Sequence, residues 1–423
     1  MSPAARSRYT LLIPTYNRSA YLRGLLGYLA ARRFEHPIRI LDSSSGQALS
    51  ENRDNVARTG LDVDYQIFDP AIPVNSKVAL GIESVATPYC SFCADDDVLF
   101  TRNLDQLLDV LDADPAFVAA HGYYVNFKPG HDFYVSNTVY SAPSIAGDDG
   151  LKRIVDQMGD YQAIFYAIHR TDVMRSVLKQ AERVPSLFAQ ELVSSSLTLI
   201  AGGVYRAQEF FMARNTNPSI ASDGWSPHHF LATNPEQLLR EYAAYRAVVL
   251  EQLATDPRCA AAYEPEQLRR AFDVVHLKYL APMLSPRVLD YIIAESLRPG
   301  RQPRDIIAGM WNGSASPSER QAGGMRRALT HLGRAFMRPR YALELGEYAL
   351  RFVSLASALR VRQHLRASVS PRLDNMYVDG TARDGRPRRY LLARQFVSQE
   401  LRDRQRITAS HIADIIEHLD DYV

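Results

Sequence analysis

The feature that most constrains this chain is an alternation near its start. Short apolar runs each stop at a polar cluster and are separated by single stretches of helical periodicity. "RYTLLIPTY", "IRILDSSSG", "DVDYQIFD" and "PYCSFCA" have the length and apolar content of buried strands. Between them, "SAYLRGLLGYLAARR" carries Tyr21, Leu22, Leu25, Leu26 and Leu29 at helical spacing, with Ser19 expected as its N-cap. "NSKVALGIESVA" and "NLDQLLDVLDAD" also read as helices, and "AFVAAHGYYVNF" as a further strand. Strands joined through single helices predict an α/β fold, with a mostly parallel sheet and helices on both faces. In such sheets ligands collect at the carboxyl ends of the strands. Pro14–Arg18, Asp42–Ser45 and Asp95–Asp97 all fall at such ends, so one crevice is expected to gather them.

The most informative of these clusters is "ADDDVLF", where an apolar strand runs into Asp95, Asp96 and Asp97. Crowded carboxylates repel and raise one another's pKa. A divalent ion removes that cost, and Mg²⁺ or Mn²⁺ typically binds one or two carboxylates together with substrate phosphates. The plainer reading is a solvated acidic turn. "IPTYNR" supplies the complementary half. A helix N-terminus presents free backbone N–H groups and a positive dipole end, which suit phosphates.

Bulk composition narrows the classes. A chain of 423 residues exceeds one compact core and suits about two or three domains. With 46% hydrophobic and 23% charged residues it reads as an ordinary globular protein, and a net charge of +2 gives no reason to expect nucleic acid as a partner. Cys90, Cys93 and Cys259 are too few for a disulfide framework, which favours a reducing compartment. In a strand, Cys90 and Cys93 would point to opposite faces and serve packing. No apolar run reaches the roughly 20 residues of a membrane span, and "MSPAARSRYT" lacks a signal-peptide core, so a cytoplasmic location is expected. After about residue 230 the pattern becomes helical, with loop-like breaks at "RPGRQPRD" and "NGSASPSERQAGG". Within 321–370, nine arginines stand against two glutamates, a local net of +7. This block reads either as a solvated face or as a patch for anionic lipid at the inner face of a membrane or for an anionic acceptor.

Taken together, "LLIPTYNR…LDSSS…TPYCSFCADDDV…AHGYY…FYAIHR…QEL" resembles the inverting, family-2-type bacterial glycosyltransferases of the GT-A fold, over roughly residues 8 to 225. The resemblance implies a nucleotide-binding domain over 1–230, and the helical pattern after it reads as a mostly helical C-terminal region over 231–423 with a candidate subdivision near 300–320. It also implies Mn²⁺ or Mg²⁺, a nucleotide-diphosphate sugar donor and a glycan or other hydroxyl acceptor, in surface polysaccharide or glycoconjugate synthesis. Residue by residue, Pro14, Thr15 and Tyr16 match the base pocket, with Asn17 and Arg18 beside them. Asp42 matches a base or ribose contact, although Ser43 stands where the family usually has a second acid. Lys77 matches a basic position facing the nucleotide. Asp95 matches the ribose-side acid that also approaches the metal, and Asp97 matches the metal ligand. Asp96 between them is expected to be bound to water or backbone. On their own, Lys77 also reads as a solvated helix residue and Asp42 as a turn cap.

An inverting transfer needs a carboxylate to deprotonate the attacking hydroxyl. By resemblance that base is Glu191, where Gln190-Glu191 replaces the family's acidic pair. The plainer reading of Glu191 is an acid that complements a helix dipole. On the acceptor side, His169 reads as a packed strand residue or a substrate contact, and Arg214, Asp223, Trp225 and His228 lie in a stretch that could close over donor and acceptor. The competing functions are a non-catalytic nucleotide-sugar or glycan-binding protein and a retaining transferase of the same fold. A nucleotidyltransferase is disfavoured because "IPTYNRSAY" has no glycine, and a phosphate-loop NTPase because GxxxxGK[ST] is absent.

Overall fold

The computed structural model describes residues 7–129, 133–139, 142–216, 227–284, 286–301, 376–381, 385–393, 396 and 406–422. The elements run β1 (Tyr9–Thr15), α1 (Ser19–Ala31), β2 (Ile38–Asp42), α2 (Gly46–Thr59), β3 (Val63–Ile67), α3 (Val74–Ile82), β4 (Tyr89–Phe92), β5 (Val98–Leu99), α4 (Leu104–Ala113), β6 (Phe117–Lys128), β7 (Phe133–Val139), α5 (Gly150–Gly159), β8 (Ile168–Arg170), α6 (Thr171–Ala181), α7 (Leu187–Ala201) and β9 (Gly203–Asn215). Helices α8 (Pro227–Thr233), α9 (Pro235–Thr255), α10 (Pro257–Ala262), α11 (Pro265–Met283) and α12 (Pro286–Ser296) follow. Then come β10 (Met376–Thr381), β11 (Pro387–Leu392) and α13 (Ala409–Asp421).

The α/β expectation holds. β4, β1, β2 and β3 lie side by side and parallel, with Thr15 opposite Asp42 and Leu12 opposite Phe92. The register brings the carboxyl ends of β1 and β2 level. Successive residues of β1 point to opposite faces. Tyr9, Leu11 and Ile13 join one core, with α1, α4 and α13, and Leu12 joins the other, with α3, α5, α6 and α7. Cys90 and Cys93 are fully buried in opposite cores, as their strand spacing predicts.

The sheet is mixed, where the alternation predicts mostly parallel pairing. β8 runs antiparallel between β4 and β6, and β6 and β7 pair antiparallel. The reason is connection length. Residues 129–132 are too few for the crossover that parallel neighbours require. β9 pairs parallel with β6 and also holds β5, so Val98 sits opposite Ala213 just after the three aspartates.

Among the described residues the C-terminal part is mostly helical, with one addition. β10 and β11 extend the first sheet through β7, Tyr390 pairing with Phe133. α13 then covers the core beneath α1, burying Ile415 and Leu419. Arg32 pairs with Glu417 at 2.8 Å and Asp421 at 2.7 Å, and the Phe100 ring stacks on His418 at 4.3 Å. No helix among the described residues is long and apolar enough to cross a membrane. The arginine-rich block 321–370 lies outside them.

Candidate functional site

The turn after β1 is locked to the turn after β2. Asn17 takes a positive φ of 53°, which asparagine tolerates better than most residues. Its N–H donates to Ser44 Oγ at 2.8 Å, and its Oδ1 accepts from the Ser45 N–H at 3.0 Å. Tyr16 is left about half exposed at the lip. Pro14 lies within the sheet opposite Leu41. Arg18, not Ser19, precedes the first turn of α1, and the Ser19 hydroxyl donates to Glu51 instead of capping the helix.

Arg18 and Thr15 organise the aspartates. Arg18 pairs with Asp95 at 3.0 Å and with Asp96, and its guanidinium lies 4.5 Å from the Tyr21 ring centroid. The Thr15 hydroxyl donates to the other Asp95 oxygen at 2.7 Å. Burial still pushes the Asp95 carboxyl up to about 6, with the Arg18 charge as the main offset. Both Asp95 oxygens are therefore engaged inside the protein, and the expectation of Asp95 as a metal ligand is not supported by this geometry. Asp96 is held by Arg18, where water or backbone was expected.

Asp42 is likewise turned inward. It is fully buried and accepts hydrogen bonds from the Ser44 N–H at 2.6 Å, Asn52 Nδ2 at 2.8 Å and the Tyr65 hydroxyl. A carboxylate so satisfied shapes the turn, and none of its surface is left for a base or ribose. Lys77 is also buried. Its ammonium donates to the Thr15 carbonyl and to Ser43 Oγ, both at 2.8 Å, tying the ends of β1 and β2. Burial lowers it to about 8, against the opposing charges of Asp42 and Asp95. Ser43, the departure from the family pattern, is what the lysine grips.

Asp97 differs from its neighbours. It is 5% exposed, and among the described residues it accepts one hydrogen bond, from the Asn215 N–H at 2.9 Å. Burial pushes its carboxyl up to about 7, with Arg214 as the largest opposing charge. A cation would offset the cost of the buried charge, which fits a hard divalent ion. Among the described residues no three His, Cys, Asp or Glu side chains cluster to hold an ion alone. An ion here would need substrate oxygens, as sites of one or two carboxylates do.

The Arg214 charge also acts on Glu191. Glu191 occupies the second turn of α7, whose N-cap is Ser186, with Oγ accepting from the Ala189 N–H at 3.1 Å. The carboxylate is therefore not the dipole partner of the first turn. Tyr161 donates to Glu191 Oε1 at 2.8 Å and lies 3.1 Å from Ser195 Oγ. Burial raises the Glu191 carboxyl, while the Tyr161 hydrogen bond and the Arg214 charge pull it back. Burial raises the Tyr166 phenol too, and Asp97, Arg214 and Glu191 all act on it. The Arg214 charge thus acts on both Asp97 and Glu191. Gln190 is occupied in bridging Asn75 to the Val184 carbonyl, the latter at 2.8 Å.

The structure does not bring His169 to this group. It pairs with Cys90 inside the sheet, is 1% exposed, and its Nε2 lies 2.9 Å from the Ile164 carbonyl. Burial lowers it to about 4, so it is a neutral packed residue. Asp223 and Trp225 lie outside the described residues, as does the side chain of His228. Sequence reasoning missed Tyr161 and Tyr166. Both sit in "DYQAIFYAIHR", where no spacing points to Glu191.

No protein-family model and no curated protein matches this chain. Several solved structures are similar to it at low identity. TarS of S. aureus aligns at 12% identity and TM-score 0.45 over 89% of this chain, which spans only 57% of that one. TarS residues 1–349 in complex with UDP-GlcNAc aligns at 14% identity and TM-score 0.44, over 89% of this chain and 95% of that one. The mannosyltransferase PcManGT from Pyrobaculum calidifontis, in complex with GDP-Man and Mn²⁺, aligns at 13% identity and TM-score 0.34, over 66% and 89%. Likeness this distant says nothing about the chemistry of this chain.

Proposed function

We propose that the chain is a metal-dependent glycosyltransferase that moves a sugar from a nucleotide-diphosphate donor to a hydroxyl acceptor with inversion. The observation that carries this reading is Asp97, buried just beyond β4 with one hydrogen bond among the described residues, from the Asn215 N–H at 2.9 Å, while the Arg214 charge acts on both Asp97 and Glu191. Asp97 is suited to a cation and Glu191 to a proton. Mg²⁺ or Mn²⁺ bound there would offset charge on the departing diphosphate as a Lewis acid.

The residues of the chain divide the remaining work. Asp97 supplies the carboxylate at the diphosphate end. Arg18 neutralises Asp95 and Asp96, so a diphosphate can approach them without facing three unpaired acids. The exposed Tyr16 ring offers a stacking surface for the base. Glu191 takes the proton of the acceptor hydroxyl as that oxygen bonds to the anomeric carbon. The bond from that carbon to the diphosphate oxygen breaks, and the nucleoside diphosphate leaves with the electron pair. The Tyr161 hydrogen bond fixes Oε1, leaving Oε2 for the acceptor. The setting in this proposal is surface polysaccharide or glycoconjugate synthesis at the cytoplasmic side of a membrane.

The test is Glu191→Gln. It should abolish transfer while donor binding persists. Near wild-type transfer by this variant would remove Glu191 as the base.

A further inference from the structure

The backbone at Arg18 is fixed on both sides before its side chain reaches the aspartates. Asn17 is tied to the turn after β2, and the Arg18 carbonyl accepts from the Tyr21 N–H at 3.0 Å and the Leu22 N–H at 3.2 Å as α1 begins. Tyr21 lies three residues on, so its ring shares a face of the helix start with Arg18, 4.5 Å from the guanidinium carbon. Backed by this ring, the guanidinium pairs through Nη1 with Asp95 Oδ1 at 3.0 Å and through Nη2 with Asp96 Oδ2. The rigid planar fork of arginine suits such a bridge between two carboxylates, where lysine offers one point charge. The Thr15 hydroxyl holds the remaining Asp95 oxygen at 2.7 Å. Arg18 thus occupies the place that a cation shared by Asp95 and Asp96 would take. The Asp97 carboxylate instead accepts from the Asn215 N–H at 2.9 Å.

We propose that Arg18 limits this site to one divalent ion. Its guanidinium stands in for a metal at Asp95 and Asp96, so the ion binds at Asp97 together with a diphosphate and not to the acidic cluster alone. This rests on the donor-site reading above and goes beyond it. The physical reason is charge. An ion entering between Asp95 and Asp96 would have to displace a guanidinium already paired with both, or lie against it. The one carboxylate left to the ion is a weak ligand set by itself, and sites of one or two carboxylates are completed by substrate phosphates. Arg18 therefore makes metal and donor arrive together, and the free protein holds little metal.

The test titrates the full chain at pH 8 with Mn²⁺ alone and with Mn²⁺ plus UDP, GDP, CDP or dTDP, reading free Mn²⁺ by electron spin resonance. Wild type should bind Mn²⁺ alone weakly. Arg18→Gln should bind it more tightly by about tenfold or more, because a positive charge beside the acids has gone. Arg18→Lys, which keeps that charge, should gain less. A merely structural role would lower the melting temperature of Arg18→Gln in EDTA and would give no gain in Mn²⁺ affinity. Unchanged or weaker Mn²⁺ binding by folded Arg18→Gln overturns the inference. If Arg18→Gln does not fold, Asp96→Asn decides. It should leave Mn²⁺ affinity nearly as in wild type, because Arg18 and not the ion takes up Asp96, and a loss of about tenfold overturns the inference. Failure of wild type to bind Mn²⁺ with any of the four diphosphates, beyond their own chelation of the ion, overturns the donor-site reading instead.

Discussion

Asp97→Asn should stabilise the metal-free protein, and the size of the effect follows from the burial of this one carboxyl. The folded protein raises the Asp97 pKa from 3.8 to about 7. Because the folded value lies above the unfolded one, the charged form penalises folding. The penalty is absent below pH 3.8, grows as pH rises towards 7, and is fully present above it. At roughly 1.4 kcal/mol per pH unit this is about 2–4 kcal/mol at pH 8. Asparagine keeps an oxygen to accept from the Asn215 N–H and removes the charge. In a chain of 423 residues that corresponds to a rise of about 2–5 °C in melting temperature. The assay is thermal unfolding in EDTA at pH 8 and at pH 4, followed by the same scan with Mn²⁺. The variant should melt higher at pH 8 and level with wild type at pH 4. When a nucleoside diphosphate accompanies the Mn²⁺, the wild type should gain about 2.7 kcal/mol at a hundredfold excess over Kd and the variant clearly less. A variant that melts lower than wild type in EDTA at pH 8, or a gain that does not depend on pH, would refute the reasoning.

The other predictions concern the base and the strand that carries Asn215. If Glu191 is the base, the transfer rate should rise with pH through a limb whose midpoint lies above 4.5, since burial raises this carboxyl. Tyr161→Phe removes a hydrogen bond that favours the carboxylate, so the midpoint should move further up, and a pH–rate profile reads both. Gly122 has no room for a side chain, because an added Cβ would meet the Glu209 carbonyl oxygen at 2.0 Å. Gly122→Ala must push β9 away from β6, costing about 1–3 kcal/mol in a urea melt. It should also lower activity, because β9 ends at the residue that holds Asp97.

The parts of the fold that could be read from the sequence are those set by local pattern. Most strands and helices between Tyr9 and Ala113 follow from apolar runs and helical spacing, although α2 and β5 were not legible there, and the structure places Thr15 and Asp42 at strand ends and Asp95 three residues beyond β4. Parallel against antiparallel pairing was less legible, because β8 is three residues long and offers no period to read. The roles of the acids were legible only in part. Sequence shows three adjacent aspartates, but not that Arg18 and Thr15 take up Asp95 while, among the described residues, Asp97 has a single backbone donor. Asp42 looks like a strand-end ligand until Asn52 and Tyr65 are folded against it. Lys77 looks solvated until the ends of β1 and β2 close over it.

The central claim is that Asp97 and Glu191 form the two halves of a metal-dependent transfer site. It is tested most directly by incubating the purified chain with a panel of nucleotide sugars and Mn²⁺ and measuring released nucleoside diphosphate. The account predicts slow release from one donor class, lost in EDTA and lost in Asp97→Ala. Release that persists in Asp97→Ala, or no release from any donor, would contradict it.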